Sequence, residues 1–107
     1  MLNWNRHDKG FVRKAQTICK MFRNDICNIT LQEMADLYEV NLKSLSAWEC
    51  GRSNKVEYLF YYYDLLGTEC EQKWFIDAVF NSDNKKVVID TSRDTNGEVV
   101  VKSVHIH

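Results

Sequence analysis

The chain of 107 residues, 45% hydrophobic and 12% aromatic, has the size and apolar content of one compact domain with an appended element, which excludes a disordered tail. No run approaches the roughly 18 uncharged apolar residues that a membrane span needs, and the opening Met1-Leu2-Asn3-Trp4-Asn5-Arg6 lacks a signal peptide's apolar stretch, so a cytoplasmic protein is expected. Net charge is −1: residues 1–29 carry six basic and two acidic groups, residues 30–84 four and ten, and the remainder a net +1, which allows a basic edge on the first helix but no broad basic face.

In chain order, Asp8 is placed to cap a first helix whose apolar positions Phe11, Ala15, Ile18, Phe22 and Ile26 recur at helical spacing. Arg13, Lys14, Lys20 and Arg23 fall mostly between them and give this helix a basic outer surface. The run Asn24-Asp25-Ile26-Cys27-Asn28 ends it. Thr30-Leu31-Gln32-Glu33 fits a capping box, in which the Thr30 hydroxyl accepts from the Glu33 amide and the Glu33 carboxylate accepts from the Thr30 amide. Met34, Leu37 and Tyr38 supply the apolar side of this short second helix, and Ala35 offers a small surface for close packing. Val40 is expected as a buried turn residue. Asn41 then caps a third helix with Leu45 and Trp48 inside, and Gly51 ends it in a left-handed conformation. Two short helices joined by so few residues must cross steeply, which makes a helix-turn-helix.

A fourth helix is expected near residues 56–66. It carries Tyr58-Leu59-Phe60-Tyr61-Tyr62-Tyr63, with apolar residues all round, and Gly67 ends it. A fifth, near residues 69–80, presents Trp74, Phe75, Ala78 and Val79. With no proline in the chain, glycine and Asn/Asp clusters do the punctuating. After Asn81-Ser82-Asp83-Asn84 the period changes: residues 86–91 and 99–106 are rich in β-branched side chains and read as strands. Asn96-Gly97 between them is a strong signal for a two-residue hairpin turn. Pairing about it puts Val87, Ile89, Val100, Val104 and Ile106 on one face. The four cysteines, Cys19, Cys27, Cys50 and Cys70, lack C-x-x-C spacing and read as small core residues in a reducing compartment rather than a zinc site.

The stretch from Ile29 to Ser53 contains Thr30-Leu31-Gln32-Glu33-Met34-Ala35-Asp36-Leu37, then Val40-Asn41, then Leu45-Ser46-Ala47-Trp48-Glu49-Cys50-Gly51-Arg52. In order and spacing it resembles the signature of the Cro/repressor (XRE) helix-turn-helix family, and the resemblance extends over residues 11–67. It implies a helix-turn-helix for that stretch and does not extend to the hairpin; joined to the helical and strand periods read above, the expected fold is mainly α, a five-helix helix-turn-helix domain over residues 1–84 followed by a C-terminal β-hairpin over residues 85–107. The resemblance also implies a structural ion pair between Arg23 and Glu49. The third helix would be the recognition helix entering the major groove, with Asn41, Leu42, Lys43, Ser44, Ser46 and Ala47 facing DNA and Arg52 and Lys55 on phosphate. Lys43 would reach guanine or phosphate, Asn41 and Ser44 phosphate or a base edge, and Ala47 a thymine methyl.

Two positions depart from the family. Leu31 stands where a phosphate-gripping glutamine is usual, and Leu42 where a polar residue is usual. No Arg or Gln faces outward on the recognition helix, so direct base readout is thin. That leaves room for shape-led recognition or for a surface turned to a protein partner, to which exposed members among Tyr58, Tyr61, Tyr62 and Tyr63 are suited. No nucleophile–base pair, carboxylate dyad or phosphate loop stands out, so no enzyme, cofactor or metal is expected. The spacing of His7, His105 and His107 reads as incidental. The hairpin has an apolar face and an edge that want covering, either by its own helices or by a second subunit, and Cro-like proteins dimerise through a C-terminal strand region. The expectation is a small DNA-binding transcriptional regulator, a repressor of phage or mobile-element type, acting as a homodimer on operator DNA. The alternative is a protein-binding module, such as an anti-repressor or an inhibitor of a host nucleic-acid enzyme.

Overall fold

The computed structural model describes residues 9–81, 87–97 and 99–106, with the backbone alone for Lys9, Val99 and Ile106. Asp8, His7, His107, Lys86 and the domain boundary expected at residue 84 lie outside the described residues. The fold is mainly helical, with a C-terminal two-stranded antiparallel hairpin. In order it runs α1 (Lys9–Met21), a π-turn (Phe22–Ile26), α2 (Leu31–Tyr38), α3 (Leu42–Glu49), a 3-10 turn (Val56–Tyr58), α4 (Leu59–Leu65), α5 (Glu69–Phe80), β1 (Val87–Arg93) and β2 (Val99–Ile106). Among the described residues no helix is long and apolar enough to cross a membrane.

The apolar stripe of α1 forms because Val12, Ala15, Ile18, Cys19 and Phe22 recur on one side of the helix, and all are buried. Helix α1 does not end as expected. Its last turn widens, with the Cys27 amide donating to the Phe22 carbonyl at 3.0 Å and the Ile29 amide to the Arg23 carbonyl at 3.3 Å. Phe22 and Arg23 are both buried where this turn begins. Arg23 is not part of the basic outer surface: it lies four residues after Cys19 and seven after Gln16, on the buried side of α1.

Helix α2 starts at the capping box as expected: the Glu33 amide donates to the Thr30 hydroxyl at 3.1 Å and the Thr30 amide to the Glu33 carboxylate at 2.9 Å. These bonds hold the Glu33 carboxyl below its usual range, the Thr30 amide contributing most. Met34 and Ala35 are buried against the core. Leu37 is not: 62% of it is exposed, because the short helix turns only Met34, Ala35 and the half-buried Leu31 and Tyr38 inward. Glu39 closes the helix in the left-handed region at φ 53°, and the half-buried Val40 follows. Asn41 begins α3, its side-chain oxygen accepting from the amides of Lys43 at 2.8 Å and Ser44 at 3.2 Å. Leu45 and Trp48 are fully buried, and Gly51 at φ 84° stops the helix.

The core joins all five helices, α2 contributing Met34 and Ala35. Leu59, Tyr62 and Leu66 come from around α4, and Phe75, Ala78 and Val79 from α5. Phe22 meets Phe75 edge-on with ring centroids 5.3 Å apart. Of the cysteines, only Cys19 is a core residue; Cys27 is half-buried, and Cys50 and Cys70 are exposed at the end of α3 and the start of α5, all four as free thiols.

In the hairpin, Val87 pairs with Ile106 and Ile89 with Val104, the register a turn at Asn96-Gly97 requires. Val87 is buried in the core, and Ile89 and Val104 pack against it. Between Asp90 and Thr91 a bulge slips the register by one, so Thr91 faces Val101 and Ser92 faces Val100. Val100 therefore leaves the core face and is 45% exposed, since one extra residue flips every side chain beyond it. The turn is wider than two residues. Pairing stops at Arg93 and Val99, and the Gly97 amide bonds back to the Asp94 carbonyl at 3.0 Å.

Candidate nucleic-acid interface

The core face of α3 is fixed by Leu45 and Trp48, so the opposite face belongs to residues about half a turn away. Leu42, Lys43, Ser46 and Ala47 occupy it and, with Arg52 beyond the helix end, line one open groove of about 450 Å³. Five of the eight residues expected at DNA are thus brought together. The other three lie outside the groove lining. The Asn41 side-chain oxygen is engaged as the cap, and Ser44 is half-buried on the flank. Lys55 is exposed on the loop leading to the 3-10 turn. Leu42 is 37% exposed at the first position of the helix.

Beneath this face lies the brace that sets the angle of α3. Arg23 makes a two-pronged contact with Glu49, Nε to Oε2 at 2.8 Å and Nη2 to Oε1 at 3.0 Å, and its Nη1 donates to the Ile29 carbonyl at 2.7 Å. The Tyr62 hydroxyl adds a third bond to Glu49 Oε2 at 2.7 Å. One carboxylate thus ties α3 to the π-turn and to α4, and the π-turn's guanidinium reaches Ile29, two residues before α2. The pair expected between Arg23 and Glu49 is present. Its hydrogen bond to Glu49 raises the Arg23 pKa further. Burial, then the Glu49 bond, pushes the Tyr62 phenol far above its ordinary value. The buried Trp48 indole N–H has the Cys19 thiol as its polar neighbour, and burial raises that thiol's pKa against the opposing effect of the indole.

A second fastening was not read from the sequence. The Gln16 amide, buried in α1, donates to the Ser53 carbonyl at 2.7 Å, and Arg13 Nη1 donates to the Cys50 carbonyl at 3.4 Å. Together they hold the loop that carries Arg52, and Arg13 supplies a cation where the α3 carbonyls end. The signal was available for Gln16. It lies four residues after Val12 and three before Cys19, a polar residue on the apolar stripe, and a buried amide needs a partner.

The aromatic cluster is mostly packing. Tyr38 stacks on Tyr61 at 5.0 Å and donates its hydroxyl to Asp64 at 2.8 Å, and Tyr58 lies between Tyr61 and Trp48. Tyr62 is 1% exposed and unavailable to a partner, since it faces Glu49. Phe60 and Tyr63 are the α4 aromatics that reach solvent, at 68% and 38% exposure.

On the outer face of the hairpin, His105 Nε2 lies 2.7 Å from Asp90 and 2.8 Å from the Ser103 hydroxyl. Both contacts are made by the same ring nitrogen, and the one to Asp90 ties β2 to β1. Among the described residues no group of three or more His, Cys, Asp or Glu side chains is placed to hold a metal. No protein-family model, no curated protein and no solved structure matches the chain.

Proposed function

We propose that this protein is a small sequence-specific DNA-binding regulator of the Cro/repressor type, laying α3 in the major groove of operator DNA and repressing by occlusion. The reading rests on one observation above the others. The face of α3 opposite Leu45 and Trp48 is an open groove flanked by Lys43 and Arg52, with no acidic side chain among its lining residues. A cation at each end of an exposed recognition helix suits a surface that must sit between two phosphate backbones. The resemblance of residues 29–53 to the family signature supports the same conclusion. Such a regulator works in the cytoplasm, and its size and plan suit a phage or mobile element. Dimerisation through the hairpin would set two copies of α3 about one DNA turn, roughly 34 Å, apart.

The test is binding to DNA flanking the protein's own gene at several salt concentrations. Expected is a specific complex whose affinity falls with salt, with a slope of a few neutralised phosphates per subunit. Lys43→Ala with Arg52→Ala should reduce binding at least tenfold and flatten that slope, leaving the melting temperature unchanged because both residues are exposed. Undiminished affinity in the double variant would refute the assigned surface.

A second reading, a protein-binding module, is favoured by the apolar side chains left in solvent. Leu37 is 62% and Phe60 68% exposed, on helices that belong to the acidic segment of the chain. If no DNA complex forms even at low salt and Phe60→Ala with Tyr63→Ala abolishes the biological activity, this reading takes precedence.

A further inference from the structure

The outward face of α3 has an unusual composition for a surface that reads bases. Its groove is lined by two apolar side chains, Leu42 and Ala47, one hydroxyl, Ser46, and the cations Lys43 and Arg52. Helix α3 itself carries no arginine, glutamine or asparagine to make a two-pronged contact with guanine or adenine, and Arg52 lies beyond its end; the cap Asn41 has its side-chain oxygen committed to the amides of Lys43 and Ser44. What remains is a pair of hydrocarbon patches between two charges. In the major groove only thymine offers a matching feature, its 5-methyl group.

We propose that the groove of α3 reads thymine 5-methyl groups, with Leu42 and Ala47 as the specificity-determining residues and Lys43 and Arg52 anchoring the flanking phosphates. This deepens the regulator reading and rests on it. Burying Leu42, 37% exposed in the free protein, against a methyl removes apolar surface on both sides from water. The charges at either end hold the helix down without dictating sequence. Leu42 and Ala47 are five residues apart, about 7.5 Å along the helix axis at 1.5 Å per residue. That span covers about two base-pair steps of about 3.4 Å when the helix follows the groove. The half-site should therefore carry two thymines about two steps apart under α3, in an A·T-rich context. Lys43, next to Leu42, is free to turn to a phosphate instead of a guanine.

The experiment uses the full chain and duplexes selected from a randomised pool. Selected sites are resynthesised with deoxyuridine for thymidine, one position at a time, which removes the methyl and leaves base pairing intact. Affinity is measured at one fixed salt concentration. Expected are two positions per half-site where each methyl removed weakens binding about three- to fivefold. Leu42→Ala should abolish the thymine-over-uracil preference at one of the two and keep it at the other. Equal affinity for thymidine and deoxyuridine duplexes, with salt-dependent specific binding retained, would overturn the methyl assignment and leave the regulator reading standing. Selection of G·C pairs under α3 would do the same. Failure to bind any duplex at low salt would remove both.

Discussion

At the scale of single residues, Glu49 carries the most. It accepts from two guanidinium nitrogens of Arg23 and from the Tyr62 hydroxyl, with 4% of its side chain exposed and 9% of its partner's. Two charges removed from water this far are tolerated only because they are paired and both carboxylate oxygens accept hydrogen bonds, and removing one charge leaves the other uncompensated. Glu49→Gln keeps the shape and removes the charge. It should lower stability by about 3 kcal/mol in a denaturant titration, with α3 losing its fixed angle to the π-turn. Tyr62 makes the brace sensitive to alkali. Its folded pKa lies well above the ordinary 10.0, chiefly from burial and then from the Glu49 bond. The folded state thus holds this proton more tightly than the unfolded chain. Its contribution is complete below pH 10 and is lost as pH rises above it, at about 1.4 kcal/mol per pH unit. Tyr38, raised by burial and then by Asp64, and Cys27, pushed up to about 11 mainly by burial, add to the same limb. Melting temperature scanned from about pH 9 to about pH 12 should fall steeply. Tyr62→Phe should melt lower at neutral pH, having left Glu49 short of a donor, and should show a shallower alkaline limb. An unchanged limb would mean that the Tyr62 phenol ionises in the native state.

At the scale of elements, the stop of α3 is as specified as its start. Gly51 sits at φ 84°, and a Cβ there would run into the Arg13 guanidinium. Gly51→Ala should cost about 1–2 kcal/mol from the left-handed backbone alone. Arg13→Ala added to it should relieve the collision and recover only the remainder, read as non-additivity in a double-mutant cycle. What could be read from the sequence follows the same division between local and distant causes. The Thr30–Glu33 box, the Asn41 cap and the Gly51 stop are each local signals, the bonds of the box and the cap closing within three residues, so spacing alone placed α2 and α3. The expectation for α5 matched its full length because the fifth helix is punctuated at both ends, by Thr68 and by Asn81. The exposure of Leu37 depends on elements far away in the chain, and so do the partners of Arg23 and Gln16, although helical spacing alone sets both residues on the apolar stripe of α1. Nothing near Met21 announces a π-turn, and nothing near Lys102 announces a bulge. Of the candidate interface, Leu42, Lys43, Ser46, Ala47 and Arg52 were legible through the resemblance of residues 29–53 to the family signature, matched position by position. The clamp from Arg13 and Gln16 was not, since it joins residues 37 apart in sequence.

At the scale of the whole molecule, the hairpin decides what form a dimer can take. Its apolar face is already spent within the chain, with Val87 buried and Ile89 and Val104 against the core. A second subunit is left the two strand edges and the outer face, where Val100 is 45% exposed and Asp90, Ser103 and His105 are tied to one another. Unpaired backbone donors and acceptors along β1 or β2 can pair with the same edge of another copy, and an exposed valine there does nothing to prevent it. Lysine on an edge strand does prevent it, through charge and the loss of apolar contact. Val100→Lys should therefore convert a dimer, seen by sedimentation at micromolar concentration, into a monomer, while the folding stability at low concentration stays within about 0.5 kcal/mol of the parent. Its effect on DNA should be larger than its effect on folding. A dimer binds its second half-site as an intramolecular event, so the monomer should lose about a hundredfold or more on a two-half-site operator and little on an isolated half-site. Should the parent protein sediment as a monomer at every concentration tested, the hairpin is a cover for its own core alone. The groove of α3 would then have to supply all the affinity from one copy, a demand that two cations and two apolar side chains meet poorly.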